Sequence, residues 1–437
     1  MSLEKFQKYL GDVKLTNGQA KFVEEFFLGK NLFLSGPAGT GKSFIVNKLC
    51  NFLDAEGIFV ARTATTGVAA LNVGGSTLHS FFGMGLAQED VTTLIQTKVK
   101  KNKRAVSRIR MTKILVIDEI SMCGANLLDK VDLISKYFRY NTDSFGQMQI
   151  LLLGDFLQLP NIINRGEIDS FAFSSDAWKE AKIKTINLTE PVRQSDAKFI
   201  ELLNNIRIGK LDDLSLLYSR VNAKLNLPQD VKATKLFAKN VDVNNFNLKS
   251  LSKLPGEEMV YHSCDFGTDF QKNFLDKSCP APKILNLKIG AAVMLVYNLD
   301  VENSLVNGSI GVVTKFEGRT PVVRFRDGCE QRIDPVKWEI KEKSINSEGK
   351  ITYKISAWRE QYPLKLSWAL SCHKSQGSTL NYVDVSLNEI FSCGQAYVAL
   401  SRCKDIESLT LKPFDPSVFK VNQECLDFYL NLEETRL

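Results

Sequence analysis

The sequence lacks several features that would place it in a particular class of protein. None of its nine cysteines forms the Cys-x-x-Cys pair that zinc ribbons and thiol redox sites require. No stretch approaches the ~18 consecutive apolar residues of a membrane-spanning helix, and the opening Met-Ser-Leu-Glu-Lys has no apolar segment typical of a secretion signal. We therefore expect a soluble intracellular protein with reduced thiols and no membrane partner, in bacterial cytoplasm or nucleoid, or in a eukaryotic nucleus or mitochondrion.

The length and composition are those of an ordinary multidomain protein. The 437 residues exceed what one hydrophobic core organises, which predicts roughly two to four domains. A net charge of +7 is compatible with a polyanionic partner, and equally with a well-solvated basic surface. The same two interpretations apply to residues 98–113, which carry eight Lys or Arg and no acid; a solvated helix face is the simpler one.

Three short apolar runs between residues 31 and 188 predict a parallel α/β sheet. Each run is apolar on both faces, as in strands covered by helices on both sides of a sheet, and each ends in a polar segment. Active sites of open α/β sheets lie at the carboxyl ends of such strands. The runs are Leu32–Leu34, Ile114–Ile117 and Gln149–Leu153.

The segment after the first run matches the phosphate-binding P-loop in letters and in context. Gly-Pro-Ala-Gly-Thr-Gly-Lys-Ser occupies positions 36–43, between a predicted strand and a predicted helix at 44–53. Glycines allow backbone N–H groups to surround phosphates at a helix N-terminus. We predict that Lys42 reaches the β- and γ-phosphates of ATP and that the Ser43 hydroxyl binds Mg²⁺. Further nucleotide contacts are expected from Gly36, Ala38, Gly39, Thr40 and Gly41.

Acidic and amide side chains follow the second and third runs. Asp118 and Glu119 come directly after Ile114–Ile117. Beside a P-loop, we expect Asp118 to hold Mg²⁺ and Glu119 to orient and deprotonate the attacking water. Gln158 lies in Gly-Asp-Phe-Leu-Gln-Leu-Pro after the third run, and we expect it to sense the γ-phosphate. Together these residues predict the catalytic part of an ATPase site.

The region from about 285 to 332 has a different pattern. Short alternating apolar runs are separated by Asn307-Gly308 and Asp327-Gly328, both typical of hairpin turns. This pattern predicts a small β-barrel inserted into the second half of the chain. The α/β pattern returns after Pro363, with candidate strands at 383–387 and 409–411.

Taken together, these motifs resemble those of the petite-integration-frequency (PIF) family of superfamily 1B DNA helicases. Asp-Glu-Ile-Ser-Met at 118–122 is similar to the family's second motif, and residues 127–139 resemble the helix that separates the family from its superfamily neighbours. The resemblance covers nearly the whole chain and implies two RecA-like lobes with ATP and Mg²⁺ in the cleft between them. It implies a monomer that moves 5′→3′ on single-stranded DNA and acts at single-strand/duplex junctions, opening duplex, G-quadruplex or RNA–DNA hybrid.

The same resemblance implies further contacts to the nucleotide. Gln19, in Leu-Thr-Asn-Gly-Gln at 15–19, corresponds to the glutamine that clamps adenine. Arg193 and Arg402 correspond to two arginine fingers that contact the γ-phosphate, and Pro191 departs from the family pattern beside the first finger. The remaining implied nucleotide contacts, in the motif at 368–380, are Gln376 and Gly377.

The resemblance also implies contacts to DNA, for which the residues alone leave a second interpretation open. Hydroxyls at a helix N-terminus suit phosphates, and aromatic rings suit bases. Helix caps and core aromatics produce the same pattern without any ligand. The implied DNA contacts are Thr65, Thr66, His79, Ser80, Phe81, His373, Lys374 and Ser375.

The implied domain organisation is a two-lobed motor with two small additions. Lobe 1A is expected at 1–188, with a strand-separating wedge, 1B, somewhere within about 76–112 and near the basic stretch. Lobe 2A is expected at 189–284 and 362–437, and an SH3-like domain 2B at 285–361. Two alternatives stay open: a DNA-stimulated ATPase that remodels protein–DNA complexes without separating strands, and a motor whose track is RNA. A small-molecule kinase or another P-loop enzyme of nucleotide metabolism is disfavoured, because such enzymes need no second lobe with two arginine fingers.

Overall fold

The chain divides into two compact units. The computed structural model describes residues 2–161, 170–192, 196–227, 233–238, 240–300, 305–325, 328–345, 351–372, 375, 380 and 382–434. Unit 1 contains Met1–Phe156, Pro160–Glu190 and Glu339–Ala357. Unit 2 contains Leu157–Leu159, Pro191–Trp338 and Trp358–Leu437.

Unit 1 is built on a six-stranded sheet in which every neighbouring pair is parallel. Its strands are β1 (Leu32–Ser35), β2 (Val60–Ala64), β3 (Ser76–Thr77), β4 (Ile114–Asp118), β5 (Gln149–Leu153) and β6 (Lys184–Asn187). They lie in the order β3-β2-β4-β5-β1-β6. The three predicted apolar runs are β1, β4 and β5, and all three are interior strands, which explains why both of their faces are apolar. The α/β prediction is confirmed.

Helices cover this sheet through apolar residues at helical spacing. Phe22 and Phe26 of α2 (Asn17–Phe27) share one core with Ile45 and Leu49 of α3 (Lys42–Ala55) and with the buried strand β1. Each such buried side chain contributes about 1.5–3 kcal/mol. The helices of unit 1 are α1 (Leu3–Leu10), α2 (Asn17–Phe27), α3 (Lys42–Ala55), α4 (Gly67–Asn72), α5 (Leu78–Phe82), α6 (Val91–Leu94), α7 (Lys103–Met111), α8 (Ala125–Arg139) and α9 (Asp176–Glu180).

Unit 2 contains a second, smaller parallel sheet. Its strands are β7 (Thr234–Phe237), β18 (Ala369–Ser371), β19 (Val383–Val385) and β20 (Leu409–Leu411), in the order β18-β7-β19-β20. All three neighbouring pairs are parallel, as expected for the returning α/β pattern. The helices of unit 2 are α10 (Ala197–Arg207), α11 (Ser215–Tyr218), α12 (Asn240–Ser252), α13 (Asp269–Ser278), α14 (Gln395–Leu400) and α15 (Gln423–Glu434).

Antiparallel strands fill the region where the sequence predicts a β-rich insertion. A five-stranded sheet has the order β14-β13-β12-β11-β17, and β17 lies beyond residue 361, where the predicted insertion ends. Its strands are β11 (Ala292–Leu295), β12 (Ile310–Glu317), β13 (Thr320–Phe325), β14 (Glu330–Arg332) and β17 (Leu364–Leu366). Two smaller sheets are formed by β8 (Met259–His262) with β10 (Ile284–Leu287), and by β9 (Cys264–Phe266), β15 (Val336–Ile345) and β16 (Ile351–Gln361).

None of the helices in the described ranges combines the length and the apolar content that crossing a lipid bilayer would require.

Candidate ATPase site

The loop between β1 and α3 has a backbone that only glycine adopts readily. Gly36, Gly39 and Gly41 have φ angles of 141°, 83° and 81°, all in the region that disfavours side chains. A Cβ atom on Gly36 would lie 2.3 Å from the carbonyl oxygen of Leu188. The glycines therefore allow both the turn and its close approach to the end of β6. The loop leads straight into the N-terminus of α3, the geometry that binds phosphate through backbone N–H groups.

The predicted phosphate-binding residues lie on this loop and on the first turn of α3. Lys42 Nζ donates hydrogen bonds to the carbonyl oxygens of Gly36, at 2.7 Å, and Pro37, at 2.9 Å. Its ammonium group is therefore held over the loop, where phosphates would lie. Ser43 follows it and is exposed. Thr40 is buried, and its hydroxyl donates to the Pro37 carbonyl at 3.0 Å.

Gln19, the predicted adenine contact, is buried beneath the same loop. Its Oε1 accepts a hydrogen bond from the backbone N–H of Thr16 at 3.2 Å, closing the capping box of α2. Its Nε2 lies 3.4 Å from the Thr40 carbonyl and donates to it. In this conformation Gln19 therefore connects the start of α2 to the phosphate loop.

The two predicted carboxylates lie at the end of β4. Burial raises the pKa of Asp118 to about 6, although the N–H of Glu119 and the positive charge of Lys42 both oppose the rise. Taking this carboxylate out of water therefore disfavours its charged form. A cation beside Asp118 would reverse that preference.

Glu119 has a left-handed backbone, with φ 55° and ψ 47°. For a residue other than glycine this conformation costs about 1–3 kcal/mol and occurs preferentially at functional sites. Three hydrogen bonds hold it: Glu119 N–H donates to Asp118 Oδ1 at 2.8 Å, Thr65 N–H to the Asp118 carbonyl at 3.2 Å, and Thr65 Oγ1 to the Glu119 carbonyl at 2.9 Å. Thr65, a predicted DNA contact, thus fixes the backbone of the candidate general base.

The donor atoms at this site suit a magnesium ion that arrives with a nucleotide. Mg²⁺ prefers oxygen ligands and usually binds through one or two protein groups plus phosphates and water. Ser43 and Asp118 supply one hydroxyl and one carboxylate. No group of three or more His, Cys, Asp or Glu side chains in the described ranges could hold a metal ion by itself.

Gln158 belongs to the short segment Leu157–Leu159, which is part of unit 2. Gly394, with φ 70°, lies against it: a Cβ atom there would be 2.3 Å from the Gln158 carbonyl oxygen. The glycine therefore allows the start of α14, the helix that precedes Arg402, to approach the segment of the predicted sensor.

Arg402 is 1% exposed and bonds to its own unit. Its Nε donates to the Val398 carbonyl at 2.9 Å, Nη1 to the Ser375 carbonyl at 3.4 Å, and Nη2 to the Ser401 hydroxyl at 2.8 Å. Ser375 is buried as well, and its hydroxyl donates to the Cys372 carbonyl at 2.8 Å. For Arg402 to contact a phosphate, its guanidinium would have to exchange some of these partners.

The other predicted DNA contacts of unit 1 cluster around two helix starts. Thr66 caps α4 by accepting a hydrogen bond from Ala69 N–H at 3.3 Å. His79 lies on α5, and burial lowers the pKa of its imidazole. Ser80 is half-buried, whereas Phe81 is 5% exposed and packs edge-on against Phe82. In this conformation the Phe81 ring is a core residue rather than an open stacking surface.

Sequence reasoning missed a residue that organises this segment. Arg108 of α7 donates from Nη2 to the carbonyl oxygens of Ser80, at 2.9 Å, and Phe81, at 2.6 Å. Its guanidinium also lies 5.3 Å from the centre of the Phe81 ring. The only signal in the sequence was its place in the basic stretch. Five predicted site residues lie outside the described residues: Arg193, His373, Lys374, Gln376 and Gly377.

Comparison with known proteins identifies the family. Residues 14–215 match the model of the PIF1-like helicases, and residues 270–316 match that of the 2B domain of DNA helicase Pif1. A crystal structure of Pif1 helicase from Candida albicans is 37% identical, with a TM-score of 0.75, and the match covers 96% of this chain and 100% of that chain. The chain belongs to the PIF1-like helicase family. This confirms the resemblance seen in the motifs.

Further relatives agree with this assignment. The ATP-dependent DNA helicase PIF1 of Xenopus laevis is 38% identical over 429 residues, which cover 97% of this chain and 65% of that protein. Pif1 from a Bacteroides species, in complex with ADP-AlF4, is 27% identical, with a TM-score of 0.85 and coverage of 97% of this chain and 98% of that chain. The chain spans about 65% of the length of the first curated PIF1 proteins that it matches.

Proposed function

We propose that this member of the PIF1-like family is an ATP-dependent DNA helicase that moves 5′→3′ on single-stranded DNA and separates duplex ahead of it. The observation that carries the proposal is the pair of carboxylates at the end of β4: Asp118 is buried, and Glu119 beside it has a left-handed backbone. The same unit contains the glycine-dependent phosphate loop, and β4 lies next to β5 in its sheet. Left-handed backbone at a residue other than glycine clusters at active sites. Relatives named ATP-dependent DNA helicase, and Bacteroides Pif1 structures with ADP-AlF4 and with single-stranded DNA, support the same activity.

In this proposal each residue of the site has one role. The loop N–H groups and Lys42 bind the β- and γ-phosphates, while Ser43 and Asp118 hold Mg²⁺, which would neutralise the charge that develops on the transferred phosphoryl group. Glu119 orients the attacking water and accepts its proton. Gln158, Arg193 and Arg402 complete the γ-phosphate site when the lobes close. The remaining nucleotide contacts are Gln19, Gln376 and Gly377.

The proposed domains follow the family's organisation. Lobe 1A comprises 1–188 with the 1B wedge within about 76–112, lobe 2A comprises 189–284 and 362–437, and the SH3-like domain 2B comprises 285–361. The match of residues 270–316 to a 2B-domain model and the antiparallel sheet that starts at β11 support this insertion. We further propose that the active form is a monomer bound at a junction of single-stranded and duplex DNA.

The decisive experiment measures ATP-dependent unwinding of two partial duplexes that differ only in the polarity of their single-stranded tail. We expect only the 5′-tailed substrate to open, and ATPase activity to rise on addition of single-stranded DNA. Lys42→Ala provides the control, because it should abolish turnover and unwinding while single-stranded DNA binding persists. Strong DNA-stimulated ATPase activity without unwinding of either substrate would contradict the helicase proposal and favour a translocase that remodels protein–DNA complexes.

A further inference from the structure

The positive charge of this protein is concentrated in one short segment. Residues 98–113 contain eight of the 56 Lys and Arg residues and none of the 49 Asp and Glu residues. The rest of the chain therefore carries 48 basic residues against 49 acidic ones, a balance close to neutral. The net charge of +7 is thus a property of this segment rather than of the surface as a whole.

Lys98, Arg108 and Arg110 of this segment contact neighbouring segments. Lys98 Nζ lies 2.5 Å from a Glu89 carboxylate oxygen. Arg108 bonds to the carbonyls of Ser80 and Phe81. Arg110 donates to the Phe138 carbonyl at 3.0 Å and to the Tyr140 hydroxyl at 2.9 Å. These residues hold the segment to its neighbours.

Lys100, Lys101 and Lys103, here called the lysine cluster, differ from these residues, although Lys100 Nζ donates one long hydrogen bond to the exposed Gln96 Oε1 at 3.5 Å. All three are exposed, and no carboxylate in the described ranges lies within ion-pair distance of them. Several lysines elsewhere in unit 1 do pair with acids: Lys136 with Asp132 and Glu180, and Lys184 with Glu25. The lysine cluster therefore presents uncompensated charge to solvent.

The position of Lys103 is unfavourable for the helix that it begins. Lys103 is the first residue of α7, whose first turn contains no acid. Cations near a helix N-terminus oppose the helix dipole, typically by 0.3–1 kcal/mol each. The chain reaches the cluster through a π-helical turn at Ile95–Val99, a geometry that is rare and often found at functional sites. Helix stability therefore does not explain the placement of Lys103, whereas Lys100 lies at the C-terminus of the helical turn Ile95–Val99, where a cation is favourable.

The cluster lies next to the helix that carries the proposed single-strand contacts. Asn102 caps α7 by accepting a hydrogen bond from Ala105 N–H at 3.0 Å. Gly83, at the end of α5, lies against Asn102: a Cβ atom on Gly83 would be 2.9 Å from the side-chain amide nitrogen of Asn102. Arg108 of α7 adds hydrogen bonds to the carbonyl oxygens of Ser80 and Phe81 on α5. The lysine cluster and residues 79–81 therefore belong to one local framework.

We propose that the lysine cluster binds the phosphate backbone of duplex DNA adjoining the single strand; this inference rests on the proposed function. Residues 98–113 contain no aromatic side chain, so they lack the stacking surfaces that single-strand sites use. Lysine acts as a point charge on phosphate, and duplex DNA carries one negative charge per about 1.7 Å of its axis. Backbone binding without base contacts also suits a motor that must pass over any sequence.

The test compares two variants with the same change of charge. Lys100→Gln/Lys101→Gln/Lys103→Gln removes the cluster, and Lys8→Gln/Lys21→Gln/Lys30→Gln removes three other exposed lysines of unit 1. Binding to a blunt duplex and to a single strand of equal length is measured by fluorescence anisotropy at several salt concentrations. Thermal unfolding of both variants checks that each is folded.

We expect the cluster variant to bind duplex about tenfold more weakly, with the slope of log K against log salt reduced by about 2–3. Its single-strand affinity and its single-strand-stimulated ATPase should match those of the wild type and of the control variant. Duplex affinity equal to that of the control variant, or an equal loss on single strand, would overturn the inference. A wild type whose ATPase does not respond to single-stranded DNA would instead overturn the proposed function.

Discussion

The buried charges at the candidate ATPase site of unit 1 differ from the buried arginines of unit 2. In unit 1 the candidate catalytic carboxylates carry features that oppose folding: Asp118 is a buried acid with a raised pKa, and Glu119 has a left-handed backbone. In unit 2 the buried arginines are surrounded by acceptors. Arg359 Nε and Nη2 donate to Asp265 at 2.8 and 2.6 Å, and Arg359 Nη2 also donates to Asp276.

This difference separates a buried carboxylate whose burial the protein offsets only in part from buried guanidinium groups that have several acceptors. Arg220 repeats the pattern of unit 2, since its guanidinium donates to the carbonyls of Leu409 and Glu407 and to the Glu407 carboxylate. At the candidate ATPase site, Mg²⁺ would add to the partial compensation that Lys42 and the Glu119 N–H give Asp118. We therefore expect substitutions at the candidate ATPase site to reduce ATP turnover without reducing the free energy of unfolding. Substitution of Arg359 should reduce the free energy of unfolding instead.

The largest effect is expected for Glu119→Gln. The amide keeps the shape of the side chain but cannot accept the proton of the attacking water, so ATPase activity should fall about 10²–10⁴-fold. Affinity for single-stranded DNA and the free energy of unfolding should change little. Steady-state ATPase measurement beside Glu24→Gln, at an exposed position on α2, controls for the loss of one charge. Turnover above a tenth of the wild-type rate would remove Glu119 from its proposed role.

Arg359→Met tests unit 2. It leaves Asp265 and Asp276 facing each other without their shared cation, and breaking a buried ion pair in this way costs about 3–5 kcal/mol. Urea unfolding at pH 7 should show this loss, whereas Arg332→Met, which removes an exposed pair with Asp334, should cost under about 1 kcal/mol. Losses of equal size would mean that the Arg359 cluster contributes no more than a surface pair.

The Arg359 cluster also predicts an acid-dependent loss of stability. Hydrogen bonds from Arg359 hold the pKa of both Asp265 and Asp276 below the ordinary value. Such groups stabilise the fold fully above the unfolded pKa, and the contribution is lost as the pH falls through the lower folded values. Between pH 5 and pH 2 the wild type should therefore lose more stability than Arg359→Met does.

A smaller effect of opposite sign is expected for Asp118→Asn. An acid whose folded pKa is raised disfavours folding once it ionises, so its cost grows as the pH rises from about 4 to about 6 and then persists. The amide oxygen can still accept the hydrogen bond of Glu119 N–H. We expect the free energy of unfolding at pH 7.5 to rise by roughly 1–3 kcal/mol, with ATPase activity lost. A less stable variant would show that burial does not penalise this carboxylate.

The sequence was informative where the chemistry lies within a short segment. The P-loop, the acidic pair after β4 and the three interior strands follow from contiguous patterns, because a strand covered on both faces and a glycine-dependent turn each leave a local signature. The same reasoning found the antiparallel region from its hairpin turns. It did not place β17, which joins that sheet as an edge strand from beyond the residues assigned to it.

Contacts between distant residues left no comparable signal. The bond from Thr65 to Glu119 joins residues 54 positions apart, and the Arg359 cluster joins residues 94 and 83 positions apart. Both depend on how strands and helices pack, which periodicity does not record. Phe81 and Arg402 illustrate the same limit, since their burial follows from neighbours contributed by other segments.

The smallest effect is expected at a hydrogen bond of unit 1 that lies away from the candidate ATPase site. The Tyr353 hydroxyl donates to Asp54 Oδ2 at 2.6 Å, and Arg62 Nη2 lies 2.6 Å from the same oxygen. Tyr353→Phe removes only the first bond, and because the side chain is half-exposed, unfolding should become easier by at most about 1 kcal/mol. Arg62→Gln, which removes the less exposed partner, should cost more in the same urea experiment. ATPase activity should be unchanged in the Tyr353 variant; a marked loss would mean that this contact at the end of α3 also supports the phosphate loop at its start.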